Sequence, residues 1–174
     1  RGQTYLRLVS LAFSQQTQPS DYSDYLDKAR LDFDRAITLD DKNVWAWVGK
    51  GDTFTWLKQW DEATAAYEQV LELDPFADIA RQRLIGAYTT QARRQAETKS
   101  WQQALATLKK LINAQTPESW TPYQKEAYAL RSEIYLKLNQ PERAIEDLST
   151  VIRIDPTNAG ALVSRARLYR ERLQ

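Results

Sequence analysis

One spacing recurs along this chain. Ala29, Ala63, Ala104 and Ala144 are each followed four residues on by Phe33, Tyr67, Leu108 and Leu148, and seven on by Ala36, Val70, Leu111 and Val151. Offsets of four and seven fall on one face of an α-helix. Each run then meets a stop: Asp40-Asp41, Asp74-Pro75, Thr116-Pro117 and Asp155-Pro156. Proline ends a helix because it lacks the N–H and its ring clashes with the preceding turn. Upstream of each alanine lies a second amphipathic segment. Trp47, Gly51 and Phe54 share a face in one copy, and Tyr128, Ser132 and Tyr135 in another. The first copy supplies Leu6, Val9, Ser10 and Phe13, and the third supplies Leu84, Ile85 and Tyr88. A further first segment opens with Leu162, Ala166 and Tyr169. Each unit therefore reads as helix, turn, helix. Such a unit cannot bury its apolar stripe alone and must stack on its neighbours.

The copy from Val44 to Ala77, with Trp47, Gly51, Phe54, Ala63, Tyr67 and Pro75, resembles the tetratricopeptide repeat. It departs at Lys50, where that repeat has leucine. The copy from Lys125 to Asn158 keeps Tyr128, Tyr135, Ala144 and Pro156, with Arg131-Ser132 in place of Leu-Gly. The resemblance covers nearly the whole chain. It implies an all-α, right-handed solenoid of antiparallel helix pairs over residues 1–174. The repeats fall at about 3–43, 44–77, 78–118 and 125–158, with a terminal helix at 159–173. Gly51 and Ala63 are small because the two helices of a pair cross closely there. Trp47, Phe54, Trp60 and Tyr67 fill the space around them.

The period is uneven. Ala29 to Ala63 is 34 residues, but Ala63 to Ala104 is 41. The excess falls in "TTQARRQAETKSW", which has no Pro or Gly, so the spacing predicts one long helix over about Ile79 to Thr98. In "SQQTQPSDYSDY", Pro19 and the Ser/Asp cluster predict a loop, with Ser23 or Asp24 capping the next helix. A third excess, in "NAQTPESWTPYQ", predicts a loop that exposes Trp120.

The chain has neither histidine nor cysteine, which removes imidazole catalysis, thiol chemistry, disulfides and every His/Cys metal site. No nucleophile–base constellation and no phosphate-binding glycine loop is present. We expect no enzyme, no catalytic or metal-binding residue and no cofactor. The net charge of +1 does not build the field that nucleic acid requires, despite Arg93, Arg94 and Lys99 lying close together. No apolar run is long enough for a membrane span. The chain opens on Arg1 and lacks methionine, so it reads as a fragment or a processed product. The compartment is open, with the cytoplasm favoured.

The resemblance implies a function in protein–protein interaction. In that family, the residues of each first helix that face away from the second line a concave groove. Helical phase places Trp45, Val48, Gly49, Asp52 and Trp56 there, with Arg83 on the following first helix and Glu133 on the one after. Trp45 and Trp56 lie three turns apart on one stripe. The expected ligand-binding set is therefore Trp45, Val48, Asp52, Trp56, Arg83 and Glu133, recognising a protein or peptide partner. The competing reading of both tryptophans is an internal contact. Family members that clamp a chaperone's C-terminal carboxylate do so with Lys, Asn and Arg. Those slots here hold either Arg7, Leu11, Gly49, Ile79 and Arg83, or Val48, Asp52, Arg83, Glu126 and Leu130. Neither frame supplies the set, so this binding is not expected. The alternative function is structural, as a spacer or a module that forms homo-oligomers.

Overall fold

The computed structural model describes residues 2–14, 20–113 and 121–172. The elements are α1 (Gly2–Ser14), α2 (Ser20–Leu39), α3 (Val44–Trp56), α4 (Trp60–Leu73), α5 (Asp78–Glu97), α6 (Trp101–Asn113), α7 (Thr121–Lys137), α8 (Pro141–Ile154) and α9 (Ala159–Arg172). No strand occurs among the described residues. The chain divides into two compact units, residues 1–87 and 88–174, and the division falls within α5.

Among the described residues, two kinds of turn separate the helices, and each repeats its chemistry. Between α3 and α4, between α5 and α6, and between α7 and α8, one residue adopts a left-handed backbone: Lys58, Lys99 and Asn139. The next residue's N–H returns to the carbonyl five positions upstream: Gln59 to Phe54 at 2.9 Å, Ser100 to Gln95 at 2.7 Å and Gln140 to Tyr135 at 2.8 Å. This pattern closes a helix by satisfying a carbonyl left open in its last turn. The other kind of turn starts with aspartate. Asp40, Asp74 and Asp155 each accept the N–H two residues on, from Lys42, Phe76 and Thr157. Asn43 and Asn158 then cap the following helix through Ala46 N–H and Ala161 N–H, both at 3.0 Å.

In the first unit, α1 packs on α2 through Leu6, Val9, Leu26, Ala29 and Phe33. A methyl group on Gly51 would overlap the Tyr67 ring, and one on Gly49 would overlap the Phe33 ring. Glycine is required at both positions because an aromatic ring lies against the backbone. Ala63 is fully buried, as expected at the α3–α4 crossing. Lys50, which stands where the repeat has leucine, pairs with Asp34 at 2.7 Å and lies over the rings of Trp47 and Phe54. Its stem covers apolar surface while its ammonium finds a partner.

In the second unit, Ala144, Ile145, Leu148, Val151, Ala161 and Leu168 form the core of α8 and α9, and Tyr128 and Tyr135 of α7 pack against it. Arg131 again replaces leucine and lies between the Tyr128 and Tyr135 rings.

Two expectations about helix bounds meet different outcomes. The long helix is present: α5 has 20 residues against 13 in α3. The caps expected at Ser23 and Asp24 are not, because α2 already begins at Ser20 and both residues lie within its first turns. Asp24 instead forms an i,i+4 pair with Lys28 at 2.6 Å. The loops expected around Pro19 and Trp120 lie outside the described residues.

Candidate functional site

The α3 face holds most of the residues expected to bind. Trp45 follows Val44 at the start of α3, where the Asn43 cap has just begun the helix. Its side chain is 68% exposed. An indole is among the most favourable groups to bury, so this exposure sets Trp45 apart. Two turns on, Asp52 accepts a hydrogen bond from the Tyr67 hydroxyl of α4 at 2.7 Å. It also pairs with Arg83 Nε of α5 at 3.2 Å. Thr55 Oγ1 lies 3.1 Å from the same tyrosine hydroxyl. Three helices thus converge on one carboxylate. Burial pushes the Asp52 carboxyl above its usual range, against the opposing pull of Tyr67 and Arg83. Burial likewise pushes the Tyr67 phenol up, and it remains a protonated donor. Arg83 is held by Asp52 yet keeps about half of its side chain in solvent.

Two of the expected residues do not belong to an open face. Val48 is 3% exposed and packs with Val70, Ala77 and Ala80. The chain leaving α4 brings Ala77 and the first turn of α5 over it, so Val48 is core. Trp56 is half-buried and packs against the cluster of Leu6, Val9, Leu26, Ala29 and Phe33. The three-turn stripe therefore separates: its first indole faces water, and its last serves the contact with α1 and α2. Gly49, assigned to the same face, is buried beneath Phe33.

Glu133 lies in the second unit, exposed on α7. A depression beside it is lined by Arg93, Glu126, Ala129 and Leu130. Arg93 and Glu126 form an exposed pair at 3.4 Å. A second depression also borders Glu133 and is lined by Ser132, Leu136, Leu148, Gly160 and Ser164. Gly86 and Gly160 differ from Gly49 and Gly51. A methyl group on Gly86 would meet nothing within 4 Å, and one on Gly160 only Asn158 Oδ1 at 3.5 Å. Packing does not require glycine at either position, a distinction that spacing alone did not make.

Antiparallel helix pairs joined by this chemistry define a helical-repeat protein whose class serves as protein–protein interaction scaffold. Tetratricopeptide-repeat models match residues 45–77 and 125–158, so these two stretches of the chain are tetratricopeptide repeats. Its fold is similar to the C-terminal part of a TPR repeat-containing protein from Cytophaga hutchinsonii. The TM-score is 0.61 at 18% identity, over 94% of this chain and 60% of that one. It is also similar to MamA 41-end from Desulfovibrio magneticus RS-1, at TM-score 0.52 and 16% identity, over 98% of this chain and 85% of that one. A further MamA crystal structure gives 0.52 at 19% identity, over 97% and 81%. None of the curated proteins matches the chain. Family members bind protein or peptide partners and are typically not enzymes. No described helix is long and apolar enough to cross a membrane.

Proposed function

We propose that this chain is an adaptor that docks a peptide or partner domain on the face of its first unit that carries Trp45 and Arg83. Trp45 is the apolar anchor and Arg83 the cationic one. The observation that carries this reading is the 68% exposure of Trp45, in a unit whose other tryptophans are at least half-buried or partly covered. Asp52 and Tyr67 act as positioning residues that hold Arg83, so its guanidinium loses little freedom when a partner carboxylate arrives. The partner presents an apolar side chain to Trp45 and an acidic group to Arg83. Val48 and Trp56 take no part in this surface. Glu133 gives the second unit an exposed acid that favours a basic group on the same or another partner.

Retention of partners from the native extract tests this reading, comparing the wild type with Trp45→Ala and Arg83→Ala after each variant's helicity is confirmed. Removing an aromatic anchor weakens binding by about 2 kcal/mol, roughly thirtyfold. The share due to Arg83 falls as salt rises. Equal retention by the wild type and both variants would overturn the assignment.

A further inference from the structure

Three of the chain's five glycines share one role. A methyl group on Gly2 or Gly49 would overlap the Phe33 ring, and one on Gly51 would overlap the Tyr67 ring. In the first unit, a helical glycine is thus the seat of an aromatic ring laid against bare backbone. Gly86 belongs to the same unit and is the exception. It is exposed in the interior of α5, and a methyl group there would meet nothing within 4 Å. Glycine inside a helix is destabilising relative to alanine, because the unfolded chain has more freedom to lose. At Gly51 the Tyr67 ring offsets that cost. At Gly86 no contact does, and a local cost without a packing return marks a position shaped by what binds there.

The surroundings of Gly86 point to the kind of group that fits. A helical side chain leans toward the helix N-terminus, so the surface left bare at Gly86 lies on the side of Gln82 and Arg83, one turn back. Both of these residues are exposed. Arg83 is tethered through Nε to Asp52 at 3.2 Å, while about half of its side chain stays in solvent. Elsewhere the chain sets its cations against rings. Arg131 lies 5.2 Å from the centre of the Tyr128 ring and 5.8 Å from that of Tyr135, and Lys50 lies 5.3 Å from that of Trp47. A tethered guanidinium beside bare backbone therefore offers an aromatic group both of the contacts that rings have in this fold, a flat seat and a neighbouring cation. An aliphatic side chain would gain the area alone, and a basic one would be repelled by Arg83.

We infer that Gly86 and Arg83 form the seat for an aromatic side chain of the docked partner, with an acidic residue beside that ring to meet the guanidinium. This rests on the reading of Trp45 and Arg83 as anchors, and adds to it the residue class that the partner carries: a phenylalanine, tyrosine or tryptophan next to an aspartate or glutamate. Any side chain at position 86 fills the space the ring would take. Gly86 is therefore a specificity-determining residue.

The probe is an array of short peptides, each with one leucine, one phenylalanine and one glutamate in every order and spacing on a glycine–serine background. Each is titrated against the intact 174-residue chain by fluorescence anisotropy. The tightest member should place its glutamate beside its phenylalanine, and exchanging that phenylalanine for leucine should weaken it about tenfold. Gly86→Ala should weaken the phenylalanine peptide by about tenfold as well, while raising the thermal midpoint, so the loss is not one of folding. In Gly86→Ala the exchange of phenylalanine for leucine should cost little more, as coupling between the two positions requires. The Gly86 α-proton signals should shift upfield with the phenylalanine peptide and not with the leucine one, because they would lie under the face of the ring. Absence of any saturable peptide overturns the inference, and so does equal affinity of the wild type and Gly86→Ala. A lowered midpoint for Gly86→Ala overturns it too, because the chain itself would then be covering the seat. If Gly86→Ala has no effect while Trp45→Ala and Arg83→Ala weaken the same peptide, the seat fails and the docking face stands. If Trp45→Ala and Arg83→Ala both have no effect, the docking face fails and the seat with it.

Discussion

Arg131 and Asp147 join α7 to α8 through two hydrogen bonds, with the Asp147 side chain only 4% exposed. Burial raises the Asp147 carboxyl above its usual range despite the guanidinium, while donating hydrogen bonds to Asp147 raises Arg131 further. Removing one partner strands the other. Arg131→Leu leaves a buried carboxylate and lowers stability by about 3 kcal/mol, and Asp147→Leu strands the guanidinium, whereas the two combined cost much less. Urea unfolding of the two single variants and the double variant checks this by a double-mutant cycle. Additive losses would show that the pair is not coupled.

The glycines separate by the sign of their substitution. Gly51→Ala forces a methyl group into the Tyr67 ring and destabilises by about 1–3 kcal/mol. Gly86→Ala places its methyl in open space and stabilises α5 by about 0.5–1 kcal/mol. Thermal midpoints should therefore move in opposite directions.

Lys58 and Lys99 both hold φ at 60°. A left-handed backbone costs an L-residue about 1 kcal/mol that glycine does not incur. Lys58→Gly and Lys99→Gly should each raise the urea midpoint, and the effects should add, since the turns lie in different units.

The two α3 tryptophans should differ in their effect on stability. Trp56→Ala removes packing against the α1–α2 cluster and costs about 2 kcal/mol, below the value for a fully buried ring. Trp45→Ala changes stability by no more than about 0.5 kcal/mol, as for an ordinary surface site. Equal losses by calorimetry would contradict these placements.

Asp52 gives a pH dependence of defined sign. Its folded pKa is raised, with burial as the largest cause, so the folded state holds the proton more tightly than the unfolded chain. Its contribution is complete below the unfolded carboxylate range and is lost as pH rises through the folded pKa. Asp52→Asn removes that dependence. The variant's deficit relative to wild type should be smaller at about pH 7 than at about pH 3, measured by urea unfolding at both.

The helix pairs, their register and the extended length of α5 were legible in the sequence because each is local. A stripe at offsets of four and seven, a small residue at the crossing and an uninterrupted run without Pro or Gly act within one or two helices. The turn after each aspartate was visible for the same reason, although the left-handed lysines were not, because lysine carries no preference for that backbone. The binding face was legible only in part. Helical phase placed Trp45, Val48 and Trp56 on one side of α3, and that much is a property of the helix alone. Which of them meets water depends on what the chain brings over them from distant positions. Ala77 and Ala80 close over Val48, and the α1–α2 cluster takes up Trp56, while Trp45 stays outside both. The convergence of Tyr67 and Arg83 on Asp52 was hidden likewise, because it joins three helices. Local periodicity can orient a side chain about its own axis, but burial is decided by the surfaces that tertiary packing lays against it.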